Sequence, residues 1–316
     1  MPTTPDTDEI PTFLSTMPRK RSLYVADTYF RESFEDLVAV GGGHIERFCH
    51  DHALLLLKPD AVVTHRLGAV LRWVLAGGFG IVWARTVSLG RHGIRALWQY
   101  GLNAASRDRR DAADLYVTAG ECLLVLLALP GRPESASAVL SALKGPADPH
   151  RCRPGHLRHD VGSFNYQLNL VHAADEPADL LRELGVLCDH ETRSALYRRM
   201  LTAAAGPVPD ARAEAFALAA RLEAATPRVD LELDRTLCDL AAAVDERPEA
   251  GSPAGELLAL LGRIRARMSR DWREVLRLAE SSGVPVSRWQ RIVLATHLLD
   301  PYLPGATSLL PDSSAG

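Results

Sequence analysis

Two hydrophobic rhythms divide this chain. Between residues 52 and about 190, apolar runs alternate with amphipathic stretches. Ala53 to Leu57, Gly80 to Ser88 and Glu121 to Leu129 read as buried strands, and Gln167 to His172 as a short final one. Leu67 to Ala76, stopped by Gly77-Gly78, and Ser135 to Leu143 read as helices between them. A polar loop rich in Arg and His spans Lys144 to His159, and Asp175-Glu176-Pro177 opens a further helix. Leaving aside a short helix near Ile94, the order βαββαβ predicts an α+β fold, a ferredoxin-like sandwich with helices over one face of an antiparallel sheet.

From about residue 192 the strand-like runs stop. Ala, Leu, Arg and Glu dominate, and apolar positions recur with the helical period between Pro-Gly breaks. Four or five amphipathic helices are expected, among them Ala211 to Ala225, Gly255 to Met268 and Ser287 to Leu299, forming an all-α domain whose stripes face a bundle core. Residues 1 to about 20, rich in Thr, Pro and Asp, are expected to be mobile. Ser22 to Val40 reads as a strand and a short helix, and Gly41-Gly42-Gly43 as a linker. The expected division is an N-terminal extension (1–50), a sheet-bearing domain (51–191) and a helical domain (192–316).

Composition narrows the class. A chain of 316 residues with 47% hydrophobic content can bury a sizeable core. A net charge of -3 and a pI near 6.4 give no general attraction to nucleic acid or anionic lipid, so the arginine groups at 107–110 and 151–158 read as solvated loops or phosphate donors. Five scattered cysteines without a C-x-x-C pair argue against a disulfide framework and a structural zinc site. His150, Cys152 and His156 lack a fourth ligand and the usual spacing, so no bound metal is expected there. The first residues have no basic start followed by an apolar core, so no signal peptide is expected; no apolar run approaches the length of a membrane span, and a reducing cytoplasm is the expected compartment.

Lysine is scarce, at positions 20, 58 and 144 only. Lys58 stands directly after the first buried strand, where a compact ammonium can meet a phosphate as a point charge. Asn169, His172 and, eleven residues later, Glu183 have a spacing that suits a nucleophilic histidine with a carboxylate behind it. These residues belong to a longer ordered set: Lys58-Pro59-Asp60, Gly68, Gly78-Phe79, Gly145-Pro146-Ala147-Asp148, Arg153-Pro154-Gly155, Arg158 and Asn169-Leu-Val-His172-Ala-Ala-Asp175. With Glu183 closing the set, the middle of the chain resembles the nucleoside diphosphate kinase family.

The resemblance implies a phosphotransferase working through a phosphohistidine. His172 would be the nucleophile, Glu183 its orienting partner and Lys58 the contact to the transferred phosphate. Arg158 would meet the polyphosphate, Asn169 a sugar hydroxyl or phosphate oxygen, and Tyr100 or Trp98 one face of the base. The donor would be ATP or another nucleoside triphosphate carrying Mg2+, the acceptor a nucleoside diphosphate or a specialised small molecule, and the assembly a homo-oligomer. Several positions depart from the family. The arginine expected near Ala138 is missing, and Lys144 stands six residues later in place of a threonine. Ala173-Ala174 replace Gly-Ser, whose hydroxyl supports the glutamate, and Arg107 to Arg110 occupy the place of a second base-stacking aromatic. The loop before Arg158 is lengthened and adds His150, Arg151 and Arg153. Lys144, Arg151 or Arg153 could replace the lost phosphate donor. The alternative is a nucleotide-binding sensor or scaffold of weakened activity, whose helical part recruits a partner.

Overall fold

A computed structural model describes residues 9–202, 209–244, 248–249 and 251–310. From residue 9 the N-terminal extension is helical and packed, against the strand predicted in 22–40 and the mobility predicted up to about residue 20; the first eight residues of that segment lie outside the described ones. It forms α1 (Pro18–Tyr24), α2 (Thr28–Gly41) and α3 (Ile45–Asp51). Asp27 caps α2 by accepting from the backbone N–H of Phe30, and Gly42, at φ 49°, ends it in a conformation that favours glycine. Leu14, Tyr24, Phe30 and Leu37 are buried, which anchors this segment to the rest of the chain.

The central part runs β1 (His52–Leu57), α4 (Pro59–Val63), α5 (Leu67–Ala76), β2 (Gly80–Val87), α6 (Arg91–Leu97), α7 (Gln99–Leu102), α8 (Arg107–Val117), β3 (Cys122–Ala128), α9 (Ala136–Lys144), α10 (Leu157–Asp160), β4 (Val171–Ala173) and α11 (Pro177–Leu187). The sheet order is β2-β3-β1-β4 and every neighbouring pair is antiparallel, the ferredoxin-like arrangement. β4 is shorter than the sequence predicts because Leu170, at φ 71°, breaks the extended run before it. Arg107 to Arg110 form the first turn of α8, capped by Ser106, rather than a loop.

Alternation along β1 sends Leu54 and Leu56 to one core and Ala53, Leu55 and Leu57 to the other. Both faces are therefore covered, not one. The second face carries α5 and α9; the first carries the N-terminal helices, α8 and α11. After α11 come α12 (His190–Thr202), α13 (Arg212–Ala224), α14 (Leu233–Ala242), α15 (Pro253–Arg265), α16 (Trp272–Ser281) and α17 (Arg288–Leu298). The last four enclose a core of their own, built on Leu237, Leu257, Leu261, Val275 and Leu294. In contrast, α13 lies against α5 and β2, where the backbone N–H of Ala211 donates to the Ile81 carbonyl at 2.8 Å. No helix among the described residues is long and apolar enough to cross a membrane.

Candidate active site

Backbone pairing brings the distant parts of the site together. In the β1–β4 register Leu56 faces His172 and Leu57 faces Val171, so Lys58 leaves β1 beside the entry to β4. The Lys58 N–H donates to the Leu170 carbonyl (2.9 Å), and the Leu170 N–H donates to Asp60 Oδ2 (2.7 Å). Those two bonds hold a buried leucine in the left-handed region, a conformation that costs about 1–2 kcal/mol for a residue with a Cβ. The turn aims Asn169 at the lysine: Lys58 Nζ donates to Asn169 Oδ1 and to the Gln167 carbonyl, both at 2.7 Å. Burial lowers the Lys58 ammonium to about 8, with Asp60, 3.8 Å away, opposing that shift and Arg158 adding to it.

His172 projects from β4 and remains partly exposed. Its Nε2 lies 2.8 Å from Glu183 Oε1, supplied from the middle of α11. Its Nδ1 accepts from the indole N–H of Trp98 at 3.3 Å. Glu183 Oε2 is buried without a hydrogen-bond partner among the described residues, as expected where Ala173-Ala174 replace a hydroxyl. Arg158 is buried too. Its two terminal nitrogens donate to the Gly145 and Val171 carbonyls at 2.8 and 2.9 Å, and its Nε has no partner among the described residues. Burial lowers this guanidinium from its ordinary value.

One cleft of about 220 Å3 takes in Lys58, Trp98, Arg158, Asn169, His172 and Glu183. Tyr100 and Lys144 also border it, but both are already engaged. The Tyr100 hydroxyl donates to Asp27 Oδ2 (2.8 Å), and its ring lies between Tyr24 (5.4 Å between centroids) and the Arg182 guanidinium (4.9 Å). Lys144 Nζ is 3.0 Å from Asp175 Oδ1. Arg153 is exposed and does not line the cleft.

The residues that sequence reasoning passed over come mostly from the N-terminal extension and from the start of α11. Lys20 Nζ lies 2.7 Å from both Asp179 and Glu176, and Tyr24 donates to Asp179. Burial alone would lower Lys20; the two carboxylates outweigh it and hold the ammonium above its usual range. Arg182 pairs with Asp27 at 2.8 Å and donates to the Ala96 and Leu97 carbonyls that end α6. The scarcity of lysine was the available signal for Lys20. For Arg182, adjacency to Glu183 was the only cue. Arg109 also lines the cleft, stacked on Tyr166 and Tyr302 at 4.9 and 5.2 Å.

A histidine–carboxylate pair beside buried cations, on a ferredoxin-like sheet, is an arrangement suited to phosphoryl transfer. The model of the nucleoside diphosphate kinase family matches residues 51–192. The nucleoside diphosphate kinase of Cutibacterium acnes is 31% identical over 140 residues, covering 44% of this chain and 96% of that one. The Nocardioides enzyme is 33% identical over 143 residues, covering 42% and 93%. That of Salinibacter ruber is 28% identical over 137 residues, covering 43% and 89%. The chain belongs to the nucleoside diphosphate kinase family, with a helical segment before the matched region and an added helical region after it. Membership supports a kinase-like nucleotide phosphotransferase.

Proposed function

We propose that this protein moves the γ-phosphoryl group of a nucleoside triphosphate through a covalent phosphohistidine at His172. The observation that carries the reading is the 2.8 Å contact of His172 Nε2 with Glu183, on a ring that borders the same cleft as Lys58, Arg158 and Asn169. A proton on Nε2, held by the carboxylate, leaves the Nδ1 lone pair as nucleophile. That lone pair attacks the γ-phosphorus, the bond to the bridging oxygen breaks, and the diphosphate leaves. Glu183 stabilises the imidazolium that forms. An acceptor oxygen then takes the phosphoryl group in the reverse sense.

In this reading Lys58 meets the transferred phosphate, Arg158 the polyphosphate and Asn169 a hydroxyl or phosphate oxygen. Mg2+ would arrive on the nucleotide phosphates and neutralise charge there. This fits a cleft whose acids are already taken: Asp175 by Lys144, Asp179 by Lys20 and Tyr24, and Glu183 by His172. With Tyr100 held by Asp27 and Arg182, a flat base finds less stacking surface, which favours a specialised small-molecule acceptor beside the nucleoside diphosphate. Residues 51–191 would carry the chemistry, with 192–316 as a helical addition, in a reducing cytoplasm.

The test is the initial-rate pattern of phosphoryl exchange from ATP with Mg2+, for the wild type and His172→Ala. Parallel double-reciprocal lines that vanish in the variant support the covalent route; intersecting lines, or equal rates in the variant, refute it. The unpartnered Glu183 Oε2 and the engaged Tyr100 favour a second reading, a nucleotide sensor. ATP binding with no label transferred to wild type would select it.

A further inference from the structure

His172 is held at both ring nitrogens, and only one of those bonds helps the chemistry above. The Glu183 contact leaves Nδ1 as an acceptor, and the Trp98 indole N–H fills that lone pair at 3.3 Å, the two ring planes crossing at 80°. One lone pair cannot accept this N–H and also bond to phosphorus. A phosphorus on Nδ1 would lie inside the van der Waals envelope of an indole nitrogen so close to the same atom.

The backbone that carries Trp98 is anchored. It directly follows α6, and Arg182 donates to the Ala96 and Leu97 carbonyls just before it. Arg182 is buried and neutralised by Asp27, and it adjoins Glu183 on α11. One helix therefore supplies both the carboxylate that orients His172 and the guanidinium that anchors the backbone from which the indole reaches it.

We propose that Trp98 is a displaceable cap on the nucleophilic nitrogen of His172, closed in the empty protein and swung away before the phosphoryl group enters. The proposal rests on the phosphohistidine reading. Opening breaks one hydrogen bond and so slows the first half-reaction. The Nδ1–P bond then forms as the γ-phosphorus to bridging-oxygen bond breaks, its electrons leave with the nucleoside diphosphate, and the Nε2 proton stays beside Glu183.

Trp98→Phe removes the N–H and keeps an aromatic ring. The probe is phosphoramidate, which phosphorylates an accessible imidazole as its own P–N bond breaks and ammonia leaves, without any nucleotide site. His172 of the variant should react roughly three- to tenfold faster than that of the wild type, the factor expected for losing one neutral hydrogen bond. Labelling by γ-labelled ATP should accelerate by a similar factor. Equal or slower reaction with phosphoramidate overturns the cap. Acceleration with phosphoramidate while ATP labels neither protein keeps the cap and rejects the nucleotide reading. In the unaltered protein, the Trp98 indole N–H resonance should move once phosphoramidate has converted His172; an unmoved resonance overturns the proposal however the variant folds.

Discussion

The Lys58 ammonium sets a pH limit on the site. With burial holding it near 8, it is charged below that value and loses its proton as pH rises through it. In the unfolded chain it would stay charged until about 10.4. Between those values the unfolded chain binds more protons, so this group makes the empty protein gain stability as pH rises from 8 toward 10, while the site loses one of its cations. Nucleotide affinity, measured calorimetrically, should therefore fall by up to about tenfold per pH unit above 8. A profile flat to pH 10 would mean that Lys58 does not meet the phosphate. Glu183→Gln should keep nucleotide affinity and lower the rate of His172 phosphorylation on the order of a hundredfold. Ala174→Ser offers the unpartnered Glu183 Oε2 a donor, and a gain in phosphorylation rate of about threefold is expected in quench-flow. Lys58, His172 and Glu183 could be read from the sequence because their chemistry demands fixed residue types at nearly fixed intervals. Tyr100 could not. Its ring and hydroxyl are claimed by Tyr24, Asp27 and Arg182, which lie far from it in the chain. Arg153, named within the Arg-Pro-Gly piece and as a replacement phosphate donor, is exposed.

At the scale of elements, the first three strands and the crossover helices follow their hydrophobic period closely, and Leu67–Ala76 is helical over the residues its pattern marks. The N-terminal extension did not, since aromatic and charged residues mixed along it obscure a helical stripe. Its order comes from tertiary contacts that no local pattern encodes. Asp179 and Glu176 close the capping box of α11, and the same carboxylates bind Lys20 on α1. Lys20→Met would leave two largely buried carboxylates without their cation. A loss of about 3 kcal/mol in urea unfolding is expected, with protease sensitivity rising across α1. An unchanged midpoint would show that α1 is not held by this pair. Glu176 points the same way in acid. Burial would raise it, yet Lys20 and the Ser15 and Thr16 donors hold it below the ordinary carboxylate range. Its contribution is present above that range and fades as pH falls through the lowered value.

For the molecule as a whole, the helical addition does more than extend the chain. β2 is an edge strand of the sheet, and an open edge invites pairing with another chain. Ala211 takes a backbone position on that edge, and Ala215, Ala219 and Leu222 cover the apolar surface beside it. Ala215→Glu would place a charge in this contact and lift α13 away. Light scattering should then show larger species than the wild type forms at the same concentration. A variant as dispersed as its parent would mean that α13 does not guard the edge. The helical texture after residue 192 was plain from its period, but where α13 docks was not. Its small apolar positions fit a bundle core as well as a sheet edge, and only the long-range contact with Ile81 decides between them.

The most direct test of the central claim is to expose the protein briefly to ATP with Mg2+, digest it under alkaline conditions that preserve phosphohistidine, and locate the phosphate by mass spectrometry. A single acid-labile phosphate is expected on the peptide carrying His172, removed when a competent acceptor is added. Phosphate on another residue, or a His172 peptide that stays unmodified while the protein still transfers phosphate, would contradict the claim.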